Sequence, residues 1–226
     1  MRSFTSFAAV LVAMLFVNAA HAGIAGSAHD FSNTGWSQGQ ICLPCHTPHG
    51  ATLKAADGTP LGGPLWNHQL STATYTLYVD ANGVGQTGKV DGNSMLCLSC
   101  HDGTVALDSF GGVTGNTKIS GKANLGTDLS NDHPIGEAAV YPTTDGKVST
   151  VPYMIDPQLR ANATGGSIMP LQQLNGKYVV ACTSCHEPHN RKNQQHLLWV
   201  KNDGAGTTVA GTSVSGSTLC LDCHKK

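Results

Sequence analysis

Charged and aromatic side chains are scarce in this chain. Charged residues make up 12% of its 226 residues and aromatic residues 6%, whereas charged residues alone usually reach about 25%. The formal net charge is only −1, so the chain lacks the basic face that nucleic-acid binding requires. Glycine is abundant instead, with 27 residues. This composition predicts a loop-rich chain with a weak hydrophobic core, organised by something other than side-chain packing.

Long hydrophobic runs are missing beyond the N terminus. Arg2 precedes an apolar run at 7–17 and an A-x-A cleavage site at 20–22, which together are typical of a secretory signal peptide. The run is too short to span a membrane, and the alternative is a buried N-terminal helix. We predict a signal peptide at 1–22 and a mature domain at 23–226 that is secreted, soluble and without a membrane anchor.

Cysteine is absent outside one repeated pattern. All eight cysteines lie in CLPCH (42–46), CLSCH (97–101), CTSCH (182–186) and CLDCH (220–224). C-x-x-C-H is the attachment signature of c-type haem, in which two thiols bind the porphyrin and the histidine is the proximal iron ligand. Disulfides, zinc binding and thiol exchange also use CxxC pairs, but none of them requires a histidine after every pair.

The motifs therefore predict four covalently attached haems c. The attachment residues are Cys42, Cys45, Cys97, Cys100, Cys182, Cys185, Cys220 and Cys223. The proximal ligands are His46, His101, His186 and His224. No cysteine remains for a lipid anchor, and no motif ends in the lysine that some multihaem reductases use at a catalytic iron.

Little helical periodicity separates the motifs, whose first cysteines are 55, 85 and 38 residues apart (97 − 42, 182 − 97, 220 − 182). We predict a mostly coil multihaem cytochrome fold, organised around a chain of four haems that supply the missing apolar surface. Short helices are expected at each CxxCH motif and at 193–201. Short strands are expected at 74–80 and 177–182, and loops with short hairpins at 111–176.

Each iron needs a sixth ligand, and the axial pair sets its potential over a range of about 0.8 V. Only three of the five methionines lie beyond residue 22, too few for four haems, so the sequence favours bis-histidine ligation throughout. The distal candidates are His29, His49, His68, His133, His189 and His196. Pro134 fixes an extended backbone at His133, whereas nothing fixes His196, which we expect to be a surface or core residue. The other five candidate histidines outnumber the four distal positions by one.

Two of these histidines follow a haem motif directly, in CLPCHTPH and CTSCHEPH. A residue three positions after the proximal histidine cannot pass around the porphyrin to its opposite face. His49 therefore serves a haem other than the one held by its own motif, or none, and the same holds for His189. The shared CxxCHxPH form also indicates a duplicated unit.

The segments ICLPCHTPHGA, PLWNHQLS and MLCLSCHDGTVAL resemble secreted multihaem c-type cytochromes of metal-respiring bacteria, and CTSCHEPHN and LCLDCH fit their paired-CxxCH pattern. In haem count, length and motif order the chain resembles tetrahaem cytochromes of the OmcE type, which polymerise into extracellular nanowires. The resemblance does not extend to 111–130. It implies that His49 ligates a haem of the neighbouring subunit, with the last haem at His224 as its target. The resemblance thus implies a head-to-tail contact, and contacts of this kind that do not close into a ring form open filaments.

We therefore expect an extracellular electron-transfer protein rather than an enzyme, with no catalytic residues. Its expected partners are further copies of itself, redox partner cytochromes and external acceptors such as metal oxides. Two alternatives remain. The first is a monomeric periplasmic shuttle with the same haems, and the second is a reductase in which one iron keeps an open position.

Overall fold

The fold was analysed in a computed structural model that describes residues 23–79, 88–141, 169–202, 207–209, 212–214 and 216–224. The predicted signal peptide lies outside the described residues. Most of the described chain is coil. Its helices are α1 (Gly92–His101), α2 (Cys182–Cys185) and α3 (Thr218–Leu221), with 3₁₀ turns at Gly121–Ala123, Gly136–Ala139 and Gln195–Leu197. Its strands are β1 (Gln172–Leu174), β2 (Lys177–Val179), β3 (Thr207–Val209) and β4 (Thr212–Val214). These elements confirm the mostly coil architecture with a few short helices and hairpins.

The three helices coincide with the second, third and fourth haem motifs. The first motif forms only one turn, in which the carbonyl of Cys42 accepts hydrogen bonds from the N–H groups of Cys45 (3.1 Å) and His46 (2.8 Å). The chain then straightens because His46 forms a β-bridge with Trp66. The prediction of a helix at every motif is therefore wrong at the first one.

Helix α1 is capped by a buried aspartate. The side chain of Asp91 accepts hydrogen bonds from the backbone N–H groups of Asn93 and Ser94 at 3.0 Å and from the Ser94 hydroxyl at 2.5 Å. These bonds satisfy donors that the first helical turn leaves unpaired. Burial nevertheless raises the pKa of Asp91 above its usual value.

The hairpin β1–β2 is antiparallel, with Leu174 opposite Lys177. Asn175 and Gly176 form its two-residue loop and both have positive φ, 51° and 74°, as the tight turns of β-hairpins require. The strand predicted at 177–182 is thus right for β2. The strands β3 and β4 form a second antiparallel hairpin.

Two other predicted elements differ from the structure. The described part of 74–80 is not a strand, and Thr76 forms a single parallel bridge with Asp128. The segment 193–201 contains only the 3₁₀ turn Gln195–Leu197 instead of a helix. In the long loop region, 111–141 has two 3₁₀ turns and no strand, while 142–168 lies outside the described residues.

The hydrophobic core is small, as the composition predicts. Its buried cluster consists of Leu77, Val90, Leu98 and Leu129. Tyr75, Met95, Ile135 and Ala138 pack against this cluster. Within the described part of the chain, no helix is long and apolar enough to cross a membrane.

Candidate haem-binding site

Three pairs of imidazole rings face one another at nearly equal distances. The pairs are His46 with His189, His29 with His101 and His133 with His224, with centroid separations of 6.1, 6.1 and 6.3 Å. Each pair joins one CxxCH histidine to one distal candidate. Two imidazoles bound to one metal ion at about 2.0 Å each have ring centroids roughly 6.3 Å apart. The spacing therefore fits bis-histidine ligation of an iron in each pair.

The orientation of the CxxCH rings also fits this ligation. The Nδ1 atoms of three proximal histidines contact backbone carbonyls: His46 with Pro64 at 2.9 Å, His101 with Ala123 at 2.7 Å and His186 with His196 at 2.9 Å. A ring that donates Nδ1–H to a carbonyl keeps the lone pair of Nε2 for a metal. These carbonyls belong to turns and loops rather than to the helices of the motifs. Irregular segments are therefore needed to build the site.

The distal candidates have comparable partners. His133 Nδ1 contacts the carbonyl of Pro134 at 3.0 Å, and His29 Nδ1 contacts that of Pro188 at 3.3 Å. Burial, followed by the charge of the facing His101, lowers the pKa of His29. Burial and the facing His133 lower the pKa of His224 in the same way. Rings that resist protonation retain the lone pair that iron ligation uses.

His189 differs in that its Nδ1 faces a side chain. The carboxylate of Glu187 lies 3.3 Å from this nitrogen, and its Oε1 also lies 3.2 Å from Nε of Arg191. Burial opposes ionisation of Glu187, but backbone hydrogen bonds from Arg191 and His189 and the charge of Arg191 outweigh it, so its pKa lies below the usual value. The sequence contains no clear signal for this contact beyond a glutamate between the two histidines of CHEPH.

The third proximal histidine, His186, has no facing imidazole among the described residues. The backbone carbonyl of His196 lies on its Nδ1 side, and a positive φ of 58° at His196 accompanies that turn. His196 therefore orients the proximal ring through its main chain. The expectation that the His196 side chain is not a ligand stays a prediction.

His68 is buried, with 2% of its surface exposed. Its Nδ1 lies 2.8 Å from the carbonyl of Gln69, and its Nε2 lies 3.0 Å from that of Ala106 and 3.5 Å from Sγ of Cys100. Burial lowers the pKa of His68, and a neutral ring has only one N–H for the two carbonyls. The structure thus brings His68 to Cys100 of the second motif, but not into a facing pair.

His49 lies on the exposed surface after the first motif. The hydroxyl of Thr47 donates a 2.8 Å hydrogen bond to the His49 carbonyl, and the ring faces no other histidine among the described residues. The last haem motif, which the resemblance indicates as the target of His49, has His133 opposite its proximal ring. Within one chain, His49 is therefore separate from the three pairs.

A cavity of about 490 Å³ lies between the second and third motifs, a volume typical of cofactor sites. Residues of both motifs line it, together with two distal candidates: Cys97, His101, Cys182, Cys185, His186, His29 and His133. Leucine and isoleucine side chains supply much of the remaining wall. This combination of attachment residues and apolar surface suits porphyrin edges.

The cysteines of successive motifs lie close together, and all eight are free of disulfides. Burial and the nearby Cys45 raise the pKa of Cys100 to about 12. A hydrogen bond with Cys182 and burial raise the pKa of Cys97.

The third and fourth motifs are neighbours in the same way. Burial, with smaller contributions from Cys182 and Cys220, raises the pKa of Cys185 to about 11. Motifs that are consecutive in the sequence are therefore also adjacent in space. This order follows from the folded chain and is not encoded in the motif spacing.

Comparison with known proteins supports the haem assignment. Residues 176–226 match the family model of the doubled CXXCH motif, a segment that contains the third and fourth motifs. A comparison with curated proteins gave no match. The doubled motif implies covalently attached haem c, and it supports an electron-transfer role for a multihaem c-type cytochrome.

Proposed function

We propose that this chain is an extracellular electron-transfer protein with four haems c, each with a bis-histidine iron. The observation that carries the proposal is the set of three facing imidazole pairs, each built from a CxxCH histidine and a distant second histidine. Bound haem supplies reversible one-electron iron chemistry. The chain ligates the iron, orients the rings through their Nδ1 acceptors and covers the porphyrins with loops.

Haem count and spin state test this proposal. Maturation in a host that attaches c-type haem should give an intact mass increased by four haems. The variant Cys220→Ser with Cys223→Ser should lose one of them. The ferric and ferrous spectra should be those of low-spin, six-coordinate haem. Fewer than four haems in the native chain, or high-spin iron at the three paired sites, would contradict the proposal.

We further propose that copies of the chain assemble head to tail through His49. The ring is exposed, and the same loop carries two exposed leucines, Leu53 at 65% and Leu65 at 47%. Exposed apolar residues next to a potential ligand suit a subunit contact. His186 is the favoured target in the neighbouring copy, because His224 already faces His133.

The variant His49→Ala separates the filament from a monomeric shuttle. We expect it to abolish filaments in secreted material and to leave one haem per chain without its sixth ligand, detectable as high-spin ferric iron. His196→Ala is the matched control, since it also removes an exposed imidazole but keeps the carbonyl that orients His186. Unchanged assembly and spectra in His49→Ala would support the shuttle.

One observation is compatible with a reductase: among the described residues, no imidazole faces His186. An open iron binds carbon monoxide when reduced, whereas an iron ligated by two histidines does not readily do so. Carbon monoxide binding to one haem of the assembled native protein would favour the reductase. High-spin iron in His68→Ala, with His49→Ala unaffected, would instead identify His68 as the missing ligand.

A further inference from the structure

Glu187 is the one carboxylate that contacts the Nδ1 side of a facing imidazole among the described residues. Its side chain is 1% exposed and lies 3.3 Å from Nδ1 of His189. The ring of His189 in turn faces that of His46 at 6.1 Å, with an angle of only 20° between the ring planes. The other facing histidines whose Nδ1 partners are described contact neutral backbone carbonyls instead: His46, His101, His29 and His133.

The local backbone fixes the carboxylate in this position. Glu187 Oε1 accepts a hydrogen bond from the N–H of His189 at 3.2 Å, and Oε2 accepts one from the N–H of Arg191 at 2.5 Å. The N–H of Glu187 itself donates to the carbonyl of Leu197 at 2.6 Å. The charge is therefore held next to the ring by main-chain N–H groups, including that of Arg191, and these contacts do not require the Arg191 side chain.

A buried negative charge at Nδ1 lowers the reduction potential of an iron on the Nε2 side. It makes the imidazole a stronger electron donor, and it stabilises the ferric state, which carries one more positive charge than the ferrous state. Because little water surrounds Glu187, screening of this interaction is weak. Arg191 carries the opposite charge, but its side chain is 59% exposed, so water screens it more effectively.

We propose that Glu187 is a positioning residue that lowers the reduction potential of the first haem through His189. This inference rests on the proposed function, in that an iron must lie between His46 and His189. The equivalent residue of the first motif is Thr47, whose hydroxyl contacts the carbonyl of His49 rather than a ring. The two CxxCHxPH segments thus differ at the position that tunes the following histidine.

The test is a reductive titration of the full haem-loaded chain, monitored by absorbance and by electron paramagnetic resonance. Glu187→Gln keeps the shape of the side chain and an acceptor oxygen but removes the charge. It should raise the sum of the four midpoint potentials, with the shift confined to the haem whose signal His189→Ala abolishes. Arg191→Gln should shift the same haem in the opposite direction, which a purely structural role would not produce.

Glu137→Gln is the matched control, because Glu137 accepts hydrogen bonds from Lys89 and Asn175 and has no described contact with a histidine. It should leave all four potentials unchanged. If Glu187→Gln has four low-spin haems and unshifted potentials, this proposal is overturned while the proposed function stands. If Glu187→Gln does not load haem, Arg191→Gln decides: because water screens this exposed charge, its downward shift should be smaller than the upward shift expected for Glu187→Gln, and an unchanged or raised potential overturns the proposal. Failure of His189→Ala to alter any haem would instead contradict the proposed ligation.

Discussion

At the scale of single residues, the facing imidazoles differ in how their ring planes are rotated. The planes of His46 and His189 are 20° apart, whereas those of His133 and His224 are 67° apart. In His46, His133 and His189 a contact at Nδ1 helps to fix the rotation of the ring. The haems should therefore be electronically distinct even though all their described ligands are histidine.

This difference predicts two kinds of ferric electron paramagnetic resonance signal. Nearly parallel rings donate into one iron d orbital and split it from its partner, giving a rhombic low-spin signal. Nearly perpendicular rings leave the two orbitals close in energy, giving a signal with a large maximal g value. We expect His189→Ala to remove a rhombic signal and His133→Ala to remove a large-g signal. Loss of signals with the same shape in both variants would contradict the ring geometry.

The sequence predicts which residues attach haem, but it does not predict which histidines face one another. Each CxxCH motif contains its own chemistry within five residues. His189 and His46, however, are 143 positions apart (189 − 46), and their meeting depends on loops with no periodic pattern. His189 faces His46 of the first motif rather than His186 of its own, and no local pattern indicates that partner.

At the scale of elements, α1 is the longest helix and presents the second motif. Its cap, Asp91, is 1% exposed. Replacement by alanine removes the acceptor for two backbone donors and should destabilise the fold by about 1–2 kcal/mol. The loss is measurable as a lower midpoint of guanidinium unfolding in the haem-loaded protein.

Asp91→Asn is the control, since the amide oxygen still caps the helix and the side chain carries no charge. Burial raises the pKa of Asp91. Between the ordinary aspartate pKa of about 3.9 and the raised value, the folded chain holds a proton that the unfolded chain has released. The contribution of this bound proton to the free energy of unfolding is lost as pH rises through the raised pKa of Asp91. The native chain should therefore lose stability relative to Asp91→Asn over this window, and a constant difference would argue against a buried cap.

Local signals predicted elements only where the element depends on local chemistry. The Asn175–Gly176 turn marks the hairpin β1–β2 in the sequence, because few other residues accept positive φ at both positions. The first motif is a single turn because a distant residue, Trp66, pairs with His46. The turn at Gln195–Leu197 is likewise shaped by its contact with His186 rather than by helical propensity. Neither long-range partner is visible in a local pattern.

At the scale of the whole molecule, the protein side chains alone form little core. Among the described residues fifteen hydrophobic side chains are buried, but only four of them form the buried cluster, and cysteines and histidines of the second and third motifs line the cavity of about 490 Å³ between these motifs. Burial of apolar surface is the main favourable contribution to folding. Porphyrins would supply that surface, and an iron ligated by a motif histidine and a distant histidine would also link the segments that carry them.

We therefore expect the chain to remain largely unfolded when it is produced without haem attachment. We expect the apolar area buried by the polypeptide alone to be too small to offset the entropy of ordering its loops, and without haem no iron would link the facing imidazoles. Near-ultraviolet circular dichroism and limited proteolysis of the haem-free chain should show no fixed packing and rapid cleavage, whereas the haem-loaded chain resists cleavage. Cooperative unfolding of the haem-free chain would show that the polypeptide specifies the fold without its cofactors.

Removing only the third haem, with Cys182→Ser and Cys185→Ser, should lower the stability of the fold more than removing the fourth, because the third motif lines the cavity of about 490 Å³.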